Sequence, residues 1–215
     1  MQQSDTFIIA REGWKFVGGA AAVFVLSVLL DCDLLQFLAF VAGIFLAYIY
    51  RNPERITPYY QEQSVVSVAD GRIRSIETVD SCPWLEGPCY KVEIDSGVLD
   101  AALLRMPFEG VVKNLDLRRG SRLSSLKPLA LRLNERAQLC FESRDGNRCA
   151  VEHLLGQTID AISLHASHDQ RFSQGGRYGL MLQGVHTLYL PVESRVAVKV
   201  GDEVRAGESL IGYFS

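Results

Sequence analysis

Two apolar runs dominate the start of the chain, at residues 16–30 and 34–50, with Asp31-Cys32-Asp33 between them. Read as helices, each is about 22–26 Å long at a rise of 1.5 Å per residue. A bilayer core of about 30 Å asks for roughly 20 residues per span. The pattern therefore predicts a short helical hairpin over residues 1–55 that either spans a membrane or re-enters it. Arg11, Trp14 and Lys15 precede the first run, and Tyr48, Tyr50, Arg51 and Arg55 close the second. Basic and aromatic residues thus mark both outer ends, while the turn carries only acids. By the positive-inside rule both ends and all that follows face the cytoplasm. Trp14, Lys15, Tyr48, Tyr50 and Arg51 are the expected membrane anchor. Gly18 and Gly19 open a small-residue cluster that lets another helix approach closely, either the second helix or a partner. A buried hairpin of a soluble fold would keep a polar stripe. A cleaved signal would not be doubled and followed by Arg51-Asn52-Pro53-Glu54-Arg55.

After Pro53 and Pro58 the period shortens to two. Ser64-Val65-Val66-Ser67-Val68 predicts a strand, Ala69-Asp70-Gly71-Arg72 a turn, and Arg72-Ile73-Arg74-Ser75-Ile76 the returning strand. Residues 90–94, 110–117 and 138–143 alternate in the same way. Residues 151–162 predict a helix, with Leu154, Leu155, Ile159 and Ile162 on one face. Leu188-Tyr189-Leu190-Pro191 is a short strand into a turn, and residues 195–200 predict another. The Val-Gly-Asp run from Val198 to Ile211 resembles the strand scaffold of biotin and lipoate carrier domains, without a modifiable lysine in a hairpin. The fold class is mainly β (α+β), with a β-rich domain over residues 56–215.

The chain has 215 residues and a formal net charge of −3. About 165 residues follow the hairpin, enough for one cored domain. The weak acidity argues against nucleic acid as a partner. Five cysteines at irregular spacing (Cys32, Cys82, Cys89, Cys140, Cys149) read as reduced thiols, a Cys82–Cys89 bridge requiring an oxidising compartment. His153, His165, His168 and His186 read as surface or loop residues. His165 and His168 have a helical i, i+3 spacing, but no ligand set completes a metal site. Asp70 and Glu135 form a loose candidate acid–base pair, with Asp70 better read as bracing its own turn. Arg118, Arg119 and Arg122, with Lys127, make a basic cluster suited to a solvated loop or to anionic headgroups.

The order of these pieces resembles the bacterial short-form phosphatidylserine decarboxylases over nearly the whole chain. The resemblance runs through Ile9-Ala10-Arg11-Glu12-Gly13-Trp14, Tyr50-Arg51-Asn52-Pro53-Glu54-Arg55 and Val65-Val66-Ser67-Val68-Ala69-Asp70-Gly71. It continues through Arg105-Met106-Pro107, Asn134-Glu135-Arg136, Gly176-Arg177-Tyr178-Gly179-Leu180-Met181 and Tyr189-Leu190-Pro191. It implies a proenzyme that cuts itself at a Gly-Ser bond and turns the serine into a pyruvoyl group. That ketone then serves as the electron sink for decarboxylation. An aspartate and a histidine are implied to assist the serine.

Carried over position by position, most of that chemistry is missing. Asp70 stands at the aspartate position. Ala102 replaces the histidine, with Leu104 where an asparagine is expected. Asp160-Ala161 replaces an arginine pair counted from Gly156, and Val185 follows Gly184 where the serine belongs. Valine has no hydroxyl to attack with. Gly120-Ser121, the only Gly-Ser pair, lies far from the expected cut.

The expectation is a non-catalytic homologue with no pyruvoyl cofactor, metal or catalytic residue. It would serve as a membrane-anchored subunit or assembly factor of an integral membrane protein complex, with a phospholipid as a further ligand. The rival reading is a decarboxylase making phosphatidylethanolamine through an atypical self-processed site.

Overall fold

A computed structural model describes residues 8–58, 60, 63–82, 84–124 and 127–215. The chain divides between Glu54 and Arg55 into two compact units.

The first unit is helical. A single 3-10 turn, Arg11–Gly13, leads into α1 (Trp14–Leu29), and α2 (Asp33–Ile49) returns antiparallel after a tight turn at Asp31. The outer ends are tied together: Ala10 N–H donates to the Tyr50 carbonyl at 2.8 Å and Asn52 N–H to the Ile8 carbonyl at 2.7 Å. Tyr50 is fully buried and stacks on Phe16 at 5.4 Å, and a Cβ at Gly13 would strike its ring. This corrects the expectation that Tyr50 is an interfacial anchor. Trp14 and Tyr48 are exposed, with Arg51 over the Tyr48 ring at 4.3 Å. Lys15 lies 4.7 Å from the Phe16 ring. Residues 11–29 form one helix long and apolar enough to cross a membrane, and Asp33–Ile49 is a shorter apolar helix. Val25, Leu29, Phe37, Phe40 and Ile44 are exposed. Gly43 approaches Ala20, whereas a Cβ on Gly18 or Gly19 would meet nothing within 4 Å.

The second unit is mainly β. Its strands are β1 (Ser64–Val66), β2 (Gly71–Val79), β3 (Cys89–Ser96), β4 (Leu103–Arg105), β5 (Gly110–Arg118), β6 (Arg136–Ser143) and β7 (Arg148–Leu155). Then come β8 (Ser163–Leu164), β9 (Arg171–Phe172), β10 (Arg177–Leu180), β11 (Gly184–Pro191), β12 (Arg195–Val196), β13 (Glu203–Val204) and β14 (Leu210–Tyr213). One helical turn, α3 (Ala130–Leu133), lies between β5 and β6. The large sheet runs β13-β2-β3-β11-β7-β6-β5-β9, flanked by the three-stranded sheets β1-β14-β12 and β4-β10-β8.

Three expectations change. The predicted hairpin of β1 and β2 does not form: β1 pairs with β14, near the other end of the chain, and β2 pairs with β3 and β13. The predicted helix over residues 151–162 does not form: residues 151–155 are the end of strand β7, whose Leu154 and Leu155 are both buried, and residues 156–162 are irregular. The extended run expected over residues 195–200 is strand only at Arg195–Val196. Residues 90–94, 110–117 and 138–143 do lie in β3, β5 and β6. The core is packed by Val92, Ile94, Leu139, Phe141, Val151, Leu188 and Leu190 from the large sheet. Met106, Phe108, Tyr178 and Met181 close over it.

Candidate functional site

β11 pairs with β3 on one side and β7 on the other, which makes it the most embedded strand of the domain. Its first two residues are Gly184 and Val185. Gly184 sits opposite Ser96 and Leu155, and its φ of 152° places it where side chains are strained. A Cβ there would run into the Leu154 carbonyl oxygen and the Gly156 nitrogen. The glycine is thus required by strand packing alone.

Asp70 approaches the same end of the sheet from the β1–β2 connection. The Ser96 hydroxyl donates to its backbone carbonyl. Its carboxylate takes a bidentate pair from Arg55 at 2.5 and 2.6 Å, and Ala206 N–H donates to it at 2.8 Å. Arg55 also donates to the Ala206 carbonyl at 3.0 Å. Both side chains are about nine-tenths buried. Burial works against the Arg55 charge. The hydrogen bond and charge of Asp70 outweigh it and hold the guanidinium above its ordinary range. Two charge-assisted bonds plus a backbone donor leave this carboxylate a structural clamp. The acid–base pairing with Glu135 does not occur, since Glu135 is buried and bonded to Arg119 and to Ile162 N–H.

Ala102 completes the corner. It is buried, and its carbonyl accepts Met181 N–H at 2.8 Å, three residues before Gly184. The fold therefore gathers the sequence positions Asp70, Ala102 and Val185 around the start of β11. The groups at two of them are a methyl and an isopropyl.

Side chains of β11 alternate. Val185, Thr187 and Tyr189 line a cavity of about 450 Å³, with Lys91 and Glu93 from β3 and Glu152 and Leu154 from β7. Arg74, Lys127, Pro128 and Leu131 complete its wall. Lys91 and Glu93 pair at 2.6 Å, and Arg136 and Glu152 at 3.5 Å.

On the opposite face, His186 pairs across the sheet with His153. Their Nδ1 atoms are 2.7 Å apart, and His153 Nε2 lies 2.7 Å from the Tyr178 hydroxyl. A hydrogen bond between the two Nδ1 atoms needs one of them protonated and the other bare, so at least one of the two imidazoles is neutral. Burial, with His186 adding to it, holds His153 well below the ordinary imidazole range. Burial takes His186 down to about 3, against a small opposing pull from Asp70. Burial and nearby Cys149 push the Tyr178 hydroxyl up. The surface reading of His153 and His186 is overturned. The signal was present: His153 alternates with Val151 and Leu155, and His186 with Leu188 and Leu190, so period two puts each histidine among core residues.

The remaining candidates scatter. His165 and His168 follow β8 without a helix, and His168 pairs with Asp169 at 2.8 Å on the surface. Among the described residues no group of three metal-type ligands forms. Ser121 is exposed and forms an isolated bridge with Asn134. All five cysteines are free. Cys82 interacts with Cys89, and burial followed by that neighbour raises its thiol to about 12.

The profile of the phosphatidylserine decarboxylase family matches residues 42–212. Among curated relatives, a phosphatidylserine decarboxylase proenzyme of Symbiobacterium thermophilum is 34% identical over 95% of both chains. One from Geobacter sp. strain M21 is 33% identical over 99% of both. One from Desulfotalea psychrophila is 31% identical over 95% of both.

Proposed function

The chain belongs to the phosphatidylserine decarboxylase family, and from that premise we propose that it is a non-catalytic member acting by binding at a membrane. The observation that carries this reading is Val185 after Gly184. An ester rearrangement needs an oxygen nucleophile, and an isopropyl group supplies none. The surroundings agree. Ala102 has no group to move a proton, and Asp70 is held by Arg55 and Ala206. No pyruvoyl group follows from such a site.

What remains fits binding. The apolar faces of α1 and α2 are the membrane anchor of this proposal, with Trp14, Lys15, Tyr48 and Arg51 at its ends and both ends on the cytoplasmic side. At 17 residues α2 is short for a bilayer, and association with other helices relieves the mismatch. Gly18 and Gly19, open to their surroundings, offer a close-approach face to an integral membrane partner. The cavity beside Val185 carries charged residues of both signs, which suits a zwitterionic or amino-acid headgroup better than an acyl chain.

A second reading has its own support: the curated relatives are named as proenzymes. The two separate in proteoliposomes carrying phosphatidylserine labelled in its carboxyl group. No labelled CO2 above the empty-vesicle background is expected. Sustained release would overturn the non-catalytic reading. For the partner, mild solubilisation of native membranes should give a co-migrating complex that Gly18→Leu with Gly19→Leu disperses. A wild-type chain that migrates alone removes the complex and leaves lipid binding.

A further inference from the structure

Residues 117–134 stand apart from the rest of an acidic chain. They hold Arg118, Arg119, Arg122, Lys127 and Arg132, six leucines, and no aspartate or glutamate. The fold folds this segment onto itself. Ser121 N–H donates to the Leu133 carbonyl at 2.7 Å, and Leu123 N–H donates to Asn134 Oδ1 at 2.9 Å. Arg122 reaches the Ile159 carbonyl at 2.9 Å, which joins that loop to the same surface.

Three of the leucines, around the helical turn α3, do not turn inward. Leu129, Leu131 and Leu133 are 57%, 64% and 50% exposed, and Ile159 is 54% exposed. A three-leucine knob on a single helical turn buries little of its own apolar area, and water exposure of that area is unfavourable. Arg118, Arg122, Lys127 and Arg132 around it are exposed as well. Glu135, behind them, is buried and already bonded to Arg119. Asp160 is only half exposed and takes the Ala161 N–H.

We propose that this surface is a second membrane contact, which rests on an anionic bilayer with its leucines at the acyl boundary and its cations among the headgroups. Charge complementarity selects the occupant. Exposed cations in the same short segment as exposed leucines match the layered chemistry of an anionic leaflet, charge outside and hydrocarbon beneath. The proposal rests on the anchored reading above only for the tether that keeps the domain near the bilayer. A tether raises the local concentration, so a weak contact suffices.

The test uses the full chain with Cys32→Ser and Cys82→Ser, so that an environment-sensitive fluorophore attaches at one chosen site. Leu131→Cys reports the patch. Phe37→Cys reports the helical hairpin, and Val200→Cys, also exposed, reports a loop outside both. The protein is reconstituted into vesicles of brominated phosphatidylcholine with or without one quarter phosphatidylglycerol. The proposal expects quenching at positions 37 and 131, none at 200, and stronger quenching at 131 when phosphatidylglycerol is present. Each of Arg118, Arg122, Lys127 and Arg132 changed to glutamine should lower the bound population about fivefold. Quenching at 37 without quenching at 131 overturns the contact and leaves the anchor standing. No quenching at either site overturns both. Equal quenching at 131 in neutral vesicles overturns the charge-led contact. Protection of the 131 label in native membranes but not in vesicles assigns the patch to a protein and overturns it too.

Discussion

Asp70 and Val185 converge on the start of β11, yet they differ in what holds them there. Asp70 is fixed by side-chain chemistry: a bidentate arginine, a backbone donor from Ala206, and Ser96 on its carbonyl. Val185 is fixed by the sheet, through pairing with Asp95 and Leu154. A position held by its own side chain cannot change without losing the contacts that side chain makes. A position held by its backbone is free in side chain, provided the neighbouring Gly184 keeps its conformation. The corner thus retains the aspartate and the glycine that the fold needs, while the nucleophile position carries valine.

The largest effect should come from Gly184→Ala. The added Cβ meets two backbone atoms at a φ of 152°. A loss of about 3 kcal/mol or more, or failure to fold, is expected in urea unfolding. Val185→Ser next to it should fold with a loss of about 1 kcal/mol and still not cut itself, because Ala102 cannot assist. Self-cleavage of that variant would erase the contrast between the two positions.

Asp70→Asn comes next. It leaves the Arg55 charge buried without its counter-ion, a change worth about 3 kcal/mol. The exposed Arg72–Glu203 pair, 64% and 78% accessible, is the control: Glu203→Gln should leave the midpoint unmoved. Equal effects at the two pairs would show that the corner is not clamped.

The pH effect is smaller near neutrality. Both buried histidines titrate below their unfolded value of about 6.5. Their contribution is complete above that pH and is lost as pH falls towards the folded value, about 3 for His186. Below pH 6.5 each histidine can remove at most about 1.4 kcal/mol per pH unit. Urea midpoints at pH 7 and 5 measure the slope. His186→Gln should flatten it, and an unchanged slope would remove the histidine pair as its cause.

The sequence was most readable where strands are half exposed. β3 and β5 carry inward and outward residues in turn, so period two found them. β7 was misread because six of its eight residues are buried, which leaves no polar face to mark a strand. The β1–β2 hairpin was expected because the Asp70-Gly71 turn is local. The true partner of β1 is β14, a pairing that no local pattern encodes. The positions Asp70, Ala102 and Val185 were reached through resemblance. The role of Arg55 was missed because it pairs with Asp70 across irregular chain, and the histidine pair because its cross-strand partners are remote in sequence, although period two marked each histidine as a core residue.

The central claim is that this chain cannot convert the Gly184–Val185 bond into a cofactor. Denaturing mass spectrometry of the full-length protein purified from membranes tests it directly. One uncut species at the full-length mass of 23.9 kDa is predicted. Two fragments, the smaller beginning with a blocked, pyruvoyl-bearing residue, would contradict it.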